Sequence, residues 1–204
     1  GTLDGVLREK GDLLKQLKSD GKAVLNADDH RLLRLANKIR NPVILFVKGQ
    51  DATIKAEAVK EKAGGISFDL VLPTERVPVN LNTAGQFMVP NALAAAAVGN
   101  IIGLSAQQIK QALEKFRPVP GRMNVFQTEN GIHVIDDTYN ANPDSMKAAI
   151  STLSKMSVGG RGAAVLGDML ELGDQAQSLH RDVGVGAARA GVSRLYACGE
   201  FAAE

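Results

Sequence analysis

The chain has 204 residues, with 24 Lys and Arg against 22 Asp and Glu, 45% hydrophobic and 23% charged residues. That balance excludes a disordered, collagen-like or disulfide-scaffold chain and leaves one domain or two small ones. A formal net charge of +2, spread without a basic stripe, argues against nucleic-acid binding.

The single cysteine, Cys198, cannot form an internal disulfide, and no Cys/His cluster has zinc spacing. A reducing, cytoplasmic setting is therefore expected. No apolar run approaches the roughly 18 residues of a membrane span, and Gly1-Thr-Leu-Asp4 carries no charged leader, so neither insertion nor secretion is expected. Aromatics are 4% with no tryptophan. The core must be built from Ala, Val, Leu and Ile, the usual filling of a helix-covered parallel sheet.

Apolar residues from Leu3 to Leu17 recur at helical spacing, and Gly11 predicts a kink there. A strand follows at Ala23–Asn26, then a helix to Ala36 and a strand at Val43–Val47, a parallel strand–helix–strand unit with a right-handed crossover. Runs at Thr53–Lys60, Ile66–Leu72 and Val77–Leu81, parted by the turns Ala63-Gly64-Gly65 and Pro73-Thr74-Glu75, predict an antiparallel meander beside it. Pro90 is placed at the first position of a helix over Asn91–Ile102, and Ser105 caps another reaching Phe116.

The segment Arg117-Pro-Val-Pro-Gly-Arg122 has the composition of a linker, so the domains are placed at 1–120 and 121–204. Strands at Met123–Gln127 and His133–Asp136, a helix at Pro143–Met156, a strand at Ala163–Leu166, a helix at Gln175–Ala190 and a strand at Arg194–Cys198 then alternate. This is the pattern of an open, doubly wound α/β domain. Both ends of the chain read as cut, and the expectation is a piece of a longer protein.

Open α/β sheets bind ligands beyond the carboxyl ends of their strands, so polar residues there are informative. Asn26-Ala-Asp-Asp29 and Gly167-Asp-Met-Leu-Glu-Leu-Gly173 fit that place, but local caps and turns explain their residue types equally well. The segment Asp136-Asp-Thr-Tyr-Asn-Ala-Asn-Pro143 holds two carboxylates, a phenol and two amides ahead of a helix. One side chain suffices to cap a helix, so this exceeds what capping requires. No Gly-x-x-x-x-Gly-Lys-Ser/Thr phosphate loop occurs. His30 and His133 read as structural or solvated. Spacing reveals no partner for either, whereas His180, on the helix after Gly173, is harder to dismiss. Arg122 can be a surface cation or a planar fork for phosphate.

At these residues the sequence resembles the Mur ligase family. The strings are Val24-Leu-Asn-Ala-Asp-Asp29, Asn91-Ala-Leu-Ala-Ala-Ala-Ala97, Val119-Pro-Gly-Arg122, Asp136-Asp-Thr-Tyr-Asn-Ala-Asn-Pro143 and Gly167-Asp-Met-Leu-Glu-Leu-Gly173. They are most similar to the branch that joins D-alanyl-D-alanine to UDP-N-acetylmuramoyl-tripeptide through an acyl phosphate. The resemblance implies an α/β chain: the end of a central ATPase domain, with a mixed sheet and antiparallel meander, followed by a truncated Rossmann-like C-terminal domain. It implies ATP and Mg2+ as cofactors, a cell-wall (peptidoglycan) role, and no activity of the fragment alone.

Residue by residue, the resemblance makes Lys10 a carbamylated lysine supporting magnesium. Asn91 becomes an adenine contact, and Arg122 and Asp137 become catalytic and nucleotide-binding groups that close over ATP when the domains rotate. Tyr139, Asn140, Asn142 and Asp168 become D-alanyl-D-alanine or nucleotide contacts. Phe87-Met88 stands where the family carries His-Asn, which removes a second amide contact to adenine. A folylpolyglutamate-synthase-like glutamate ligase and a noncatalytic nucleotide-binding module are the alternatives, and a monomer is expected.

Overall fold

The computed structural model describes residues 2–48, 52–62, 65–157 and 161–204. They form two compact units, one of residues up to Asn82 with Gln86–Phe116, the other of Thr83–Gly85 with Arg117–Glu204.

In the first unit, helix α1 (Leu3–Lys15) is capped by Thr2, whose Oγ1 accepts from the Gly5 N–H at 3.1 Å. It runs through Gly11 as one helix and ends at Lys15, two residues before Leu17. Gly11 is buried, and a Cβ there would sit 3.3 Å from the Leu35 side chain. Glycine lets this helix approach its neighbour; it does not break it. Strand β1 (Ala23–Asn26), helix α2 (His30–Ala36) and strand β2 (Val43–Lys48) form the expected crossover unit, with β1 parallel to β2 from Ala23↔Val43 to Asn26↔Phe46.

Strand β3 (Ile54–Lys62) pairs parallel with β2, then antiparallel with β4 (Gly65–Val71), which pairs antiparallel with β5 (Arg76–Leu81). The result is a mixed five-stranded sheet in the order β1-β2-β3-β4-β5. Ala63 and Gly64, in the expected turn before β4, lie outside the described residues. Strand β4 alternates strictly, and its inward residues Ile66, Phe68 and Leu70 pack with Val89, Leu93, Ala96 and Ala97. Each such large side chain removed from water contributes about 1.5–3 kcal/mol.

Those last four residues belong to α3 (Met88–Ile101). Pro90 is its third residue rather than its first, a position whose missing N–H is still unneeded because the first turn has no acceptor to offer. Helix α4 (Ala106–Lys115) opens on a capping box between Ser105 and Gln108. It also covers the open edge of β5. Lys110 donates to the Pro78 carbonyl, and the Glu114 carboxylate accepts from the Asn80 N–H at 2.9 Å and from Lys110 at 3.0 Å. Polar groups of an unpaired edge are thereby satisfied within the chain.

In the second unit, β6 (Asn124–Gln127) and β7 (His133–Asp136) form an antiparallel hairpin, and β8 (Ala163–Leu166) pairs parallel with β9 (Arg194–Ala197). Helix α5 (Pro143–Met156) precedes β8, and α6 (Ala176–Arg189) joins β8 to β9. The expected alternation is present, but the described strands pair as two separate two-stranded sheets rather than one. A tight connection with Gly131 at φ 79° forces the first pair antiparallel, whereas a crossover helix lets the second run parallel. Ile150, Met169, Val183 and Ala187 form this unit's core.

Candidate functional site

The Asn26–Asp29 cluster is accounted for locally. Asn26 Oδ1 accepts from the Asp28 N–H at 2.9 Å, and Asp29 Oδ1 accepts from the Arg31 N–H at 2.8 Å as the cap of α2. Lys10 lies on an exposed position of α1. Among the described residues no group of three His, Cys, Asp or Glu side chains could hold a metal ion. Asn91 is exposed in the first turn of α3, its amide 3.6 Å from Met88 Sδ, a weak acceptor that leaves the donor available.

The densest polar constellation is the loop after β7. Asp136 Oδ2 accepts from the Gly121 N–H at 2.9 Å, and its Oδ1 accepts from the Thr138 hydroxyl at 2.7 Å and the Thr138 N–H at 3.3 Å. The Thr138 hydroxyl, and then the Gly121 amide, hold this carboxyl below its ordinary range. Asp137 Oδ1 accepts from the Met123 N–H at 3.0 Å, while Tyr139 N–H donates to the Gly121 carbonyl at 3.0 Å. Two consecutive aspartates thus fasten the Val119–Met123 turn onto the loop.

That turn needs fastening because of its backbone. Gly121 sits at φ 76°, and a Cβ there would lie 3.2 Å from the Tyr139 amide nitrogen. Met123, buried at 4% exposure, holds φ 49°, a conformation that side chains with a Cβ rarely adopt. Between them, the exposed Arg122 places its guanidinium carbon 3.9 Å from the centroid of the Tyr139 ring. No carboxylate pairs with Arg122 among the described residues, and Asp137 Oδ2 has no protein partner there. A cation rests on an exposed aromatic ring, and a half-used carboxylate is bonded to the amide of the next residue, Met123, a donor and acceptor set suited to phosphate and hydroxyl groups.

Further along the loop, Asn140 Oδ1 accepts from the Ala141 N–H at 2.9 Å. Asn142 is the cap of α5, accepting from Asp144 N–H at 3.1 Å and Ser145 N–H at 2.9 Å, with Ser145 completing the capping box. Its oxygen is committed to the helix, so only its NH2 faces outward work.

The third cluster behaves differently. Asp168 accepts from the Glu200 N–H at 2.7 Å and the Phe201 N–H at 3.2 Å, one through each carboxylate oxygen. Gly199, at φ 120°, lies so close that a Cβ would overlap that carboxylate. Met169 is 2% exposed in the core. His180 accepts at Nε2 from the Met169 N–H at 2.8 Å, with Nδ1 2.7 Å from the Ala176 carbonyl, and stacks on Phe201 at 4.6 Å.

The structure therefore brings Arg122, Asp137 and Tyr139 together, with Asn140 and Asn142 further along the same loop, and gathers Asp168 separately with His180. Sequence reading passes over Asp136 as a site residue and assigns His180 no role. The signal for Asp136 was its threonine two residues on, an Asx-type turn. His180's partner is the backbone of a loop eleven positions earlier, which residue types do not reveal.

Comparison with known proteins covers both units. Residues 1–99 match the model described as Mur ligase middle domain, and residues 121–204 match the Mur ligase, glutamate ligase domain. The chain is 34% identical over 98% of its length to the UDP-N-acetylmuramoyl-tripeptide--D-alanyl-D-alanine ligase of Escherichia coli strain K12, spanning 44% of that protein. MurF of Acinetobacter baumannii superposes with a TM-score of 0.90 and 31% identity over 98% of this chain and 43% of its own. The MurF ligase of Thermotoga maritima, solved in complex with ADP, shares the fold with a TM-score of 0.86 at 24% identity, over 100% of this chain and 46% of that one. The chain thus spans less than half the length of these relatives.

Proposed function

The chain belongs to the Mur ligase family, and on that premise we propose that it forms part of an ATP-dependent ligase acting in the cytoplasm. The ligase joins D-alanyl-D-alanine to UDP-N-acetylmuramoyl-tripeptide in peptidoglycan synthesis. What supports the branch is the loop Asp136–Pro143, where an exposed arginine rests on a tyrosine and an aspartate keeps one carboxylate oxygen uncommitted. The E. coli and A. baumannii relatives, named for this chemistry or this branch, extend over nearly the whole chain.

The residues described fit a nucleotide by their chemistry. Arg122 offers a planar set of N–H donors for phosphate oxygens, with no competing carboxylate. Asp137 offers a fixed acceptor for a ribose hydroxyl. Asn91 offers an amide with both donor and acceptor, matching the edge of adenine. ATP supplies the phosphoryl group that activates the substrate carboxylate. The chain's own groups orient it and stabilise its charge, the part of catalysis for which positioned donors serve best. Tyr139, Asn140 and Asn142 line the loop on which a dipeptide amine would be presented, and Asp168 acts through the turn it closes.

For magnesium the described residues offer no group of three His, Cys, Asp or Glu side chains. Lys10, proposed as a carbamylated magnesium support, is exposed and so open to that modification.

Mass spectrometry of the reaction product tests the reading. The full-length protein carrying this chain, given ATP, UDP-N-acetylmuramoyl-tripeptide and D-alanyl-D-alanine, should yield the amide-linked pentapeptide. In a parallel reaction supplied with ATP, glutamate and a folate acceptor, a glutamylated folate would favour the folate-type ligase, and no product in either reaction from folded protein would favour a noncatalytic module.

A further inference from the structure

We infer that His180 is a positioning residue for the Gly167–Gly173 loop, fixing it so that Asp168 can close the Gly199–Phe201 turn. This inference rests on the ligase reading for its functional part, but its structural part stands without it. The ring makes three contacts with three different segments. It accepts at Nε2 from Met169 N–H at 2.8 Å, which fixes the proton on Nδ1, from where it is donated to the Ala176 carbonyl at 2.7 Å within its own helix. The ring then stacks on Phe201 with an interplanar angle of 22°.

Both nitrogens are therefore spent on backbone groups, and the side chain is 8% exposed. Each ring nitrogen is thus engaged with backbone of its own chain. Its work is geometric. Met169 points its side chain into the core at 2% exposure, and its N–H would be left an orphaned donor without the imidazole. Asp168, one residue earlier, stands with Oδ1 3.9 Å from Nε2 and spends its two oxygens on the Glu200 and Phe201 amides. The imidazole thus sets the loop's backbone, the loop sets Asp168, and Asp168 sets the turn that carries Phe201 back onto the ring. The ring and the turn complete a closed circuit, so loosening one member loosens all.

In the ligase Asp168 serves the amine substrate through the Gly199–Phe201 turn that it closes, so loss of this circuit should weaken dipeptide use and spare ATP. Two variants separate acceptor from ring. His180→Phe keeps a ring against Phe201 and removes the acceptor, while His180→Gln places a side-chain oxygen where it can accept from Met169. Both are made in the full-length protein, and amide hydrogen exchange is read at Met169, Glu200 and Phe201 together with KM for D-alanyl-D-alanine and for ATP.

In His180→Phe, exchange at all three amides should accelerate by on the order of tenfold or more, the scale of an orphaned buried donor. KM for the dipeptide should rise by about tenfold and KM for ATP should stay within about twofold. His180→Gln should restore most of both. Unchanged exchange, an equal rise in both KM values, or a glutamine variant no better than phenylalanine would overturn the inference. His180-dependent exchange in a protein without dipeptide-dependent activity would sink the ligase reading and leave the positioning role supported.

Discussion

The Arg122 guanidinium lies 3.9 Å above the Tyr139 ring centroid, and neither residue needs the other for folding, since both are exposed. At an exposed site such a contact contributes about 0.5–1 kcal/mol. Its value is in orientation, because a long flexible cation is held in one place before a ligand arrives and less freedom is lost on binding. Tyr139→Phe keeps the ring face and should leave nucleotide affinity near wild type. Tyr139→Ala should weaken it by about threefold, with little change in thermal stability. Calorimetric titration of the full-length protein with ADP checks both.

The turn that carries Arg122 is intolerant of a side chain at Gly121. Its φ of 76° and the 3.2 Å approach of a Cβ to the Tyr139 nitrogen act together. Gly121→Ala should destabilise the second unit by about 1–3 kcal/mol, the cost of a strained residue in a close contact. Urea denaturation followed by a probe in that unit measures it. The same change at Gly103, also at positive φ but with open space around it, should cost only the backbone term of about 1 kcal/mol.

Acid sensitivity follows from two carboxylates, one in each unit. At Glu114 burial pushes the pKa up, but the hydrogen bonds from Lys110 and Asn80 outweigh it and hold the group below its ordinary value. Asp136 is held low by Thr138 and Gly121. A carboxyl lowered in the folded state contributes stability above its unfolded pKa and loses it as pH falls through the folded one. The contribution of these two carboxylates should therefore be level at neutral pH and be lost as pH falls below about 4.5. Glu114→Gln should flatten the acid limb of the first unit's urea midpoint. An unchanged limb would remove Glu114 from the explanation.

Much of the fold was legible because its signals are local. The period-two alternation of Ile66, Phe68 and Leu70 announced a half-buried strand, and Ser105 announced a helix start. At Gly11 a glycine that kinks a helix and one that admits a neighbouring helix look alike in one dimension. Only the position of Leu35 tells them apart. Pro90 was misplaced by two residues because a proline is tolerated throughout the first turn.

At the site, the richness of Asp136–Pro143 was visible as a surplus of polar groups. How those groups divide their work was not. Asn142 is a cap, Asp136 and Asp137 hold backbone amides of a turn fourteen or fifteen positions away, and Asp168 is spent on a turn more than thirty positions on. Such long-range bonds to backbone depend on chain geometry, which residue identity does not encode locally.

The most direct test is phosphate release from ATP by the full-length protein carrying this chain, with both UDP-N-acetylmuramoyl-tripeptide and D-alanyl-D-alanine and with each of them left out in turn. Release should require both substrates and fall by about a hundredfold or more in Asp137→Ala, the scale of removing a positioned polar group from a reacting site. Release that ignores both substrates, or that survives Asp137→Ala unchanged, would contradict the assignment of this loop to ligase chemistry.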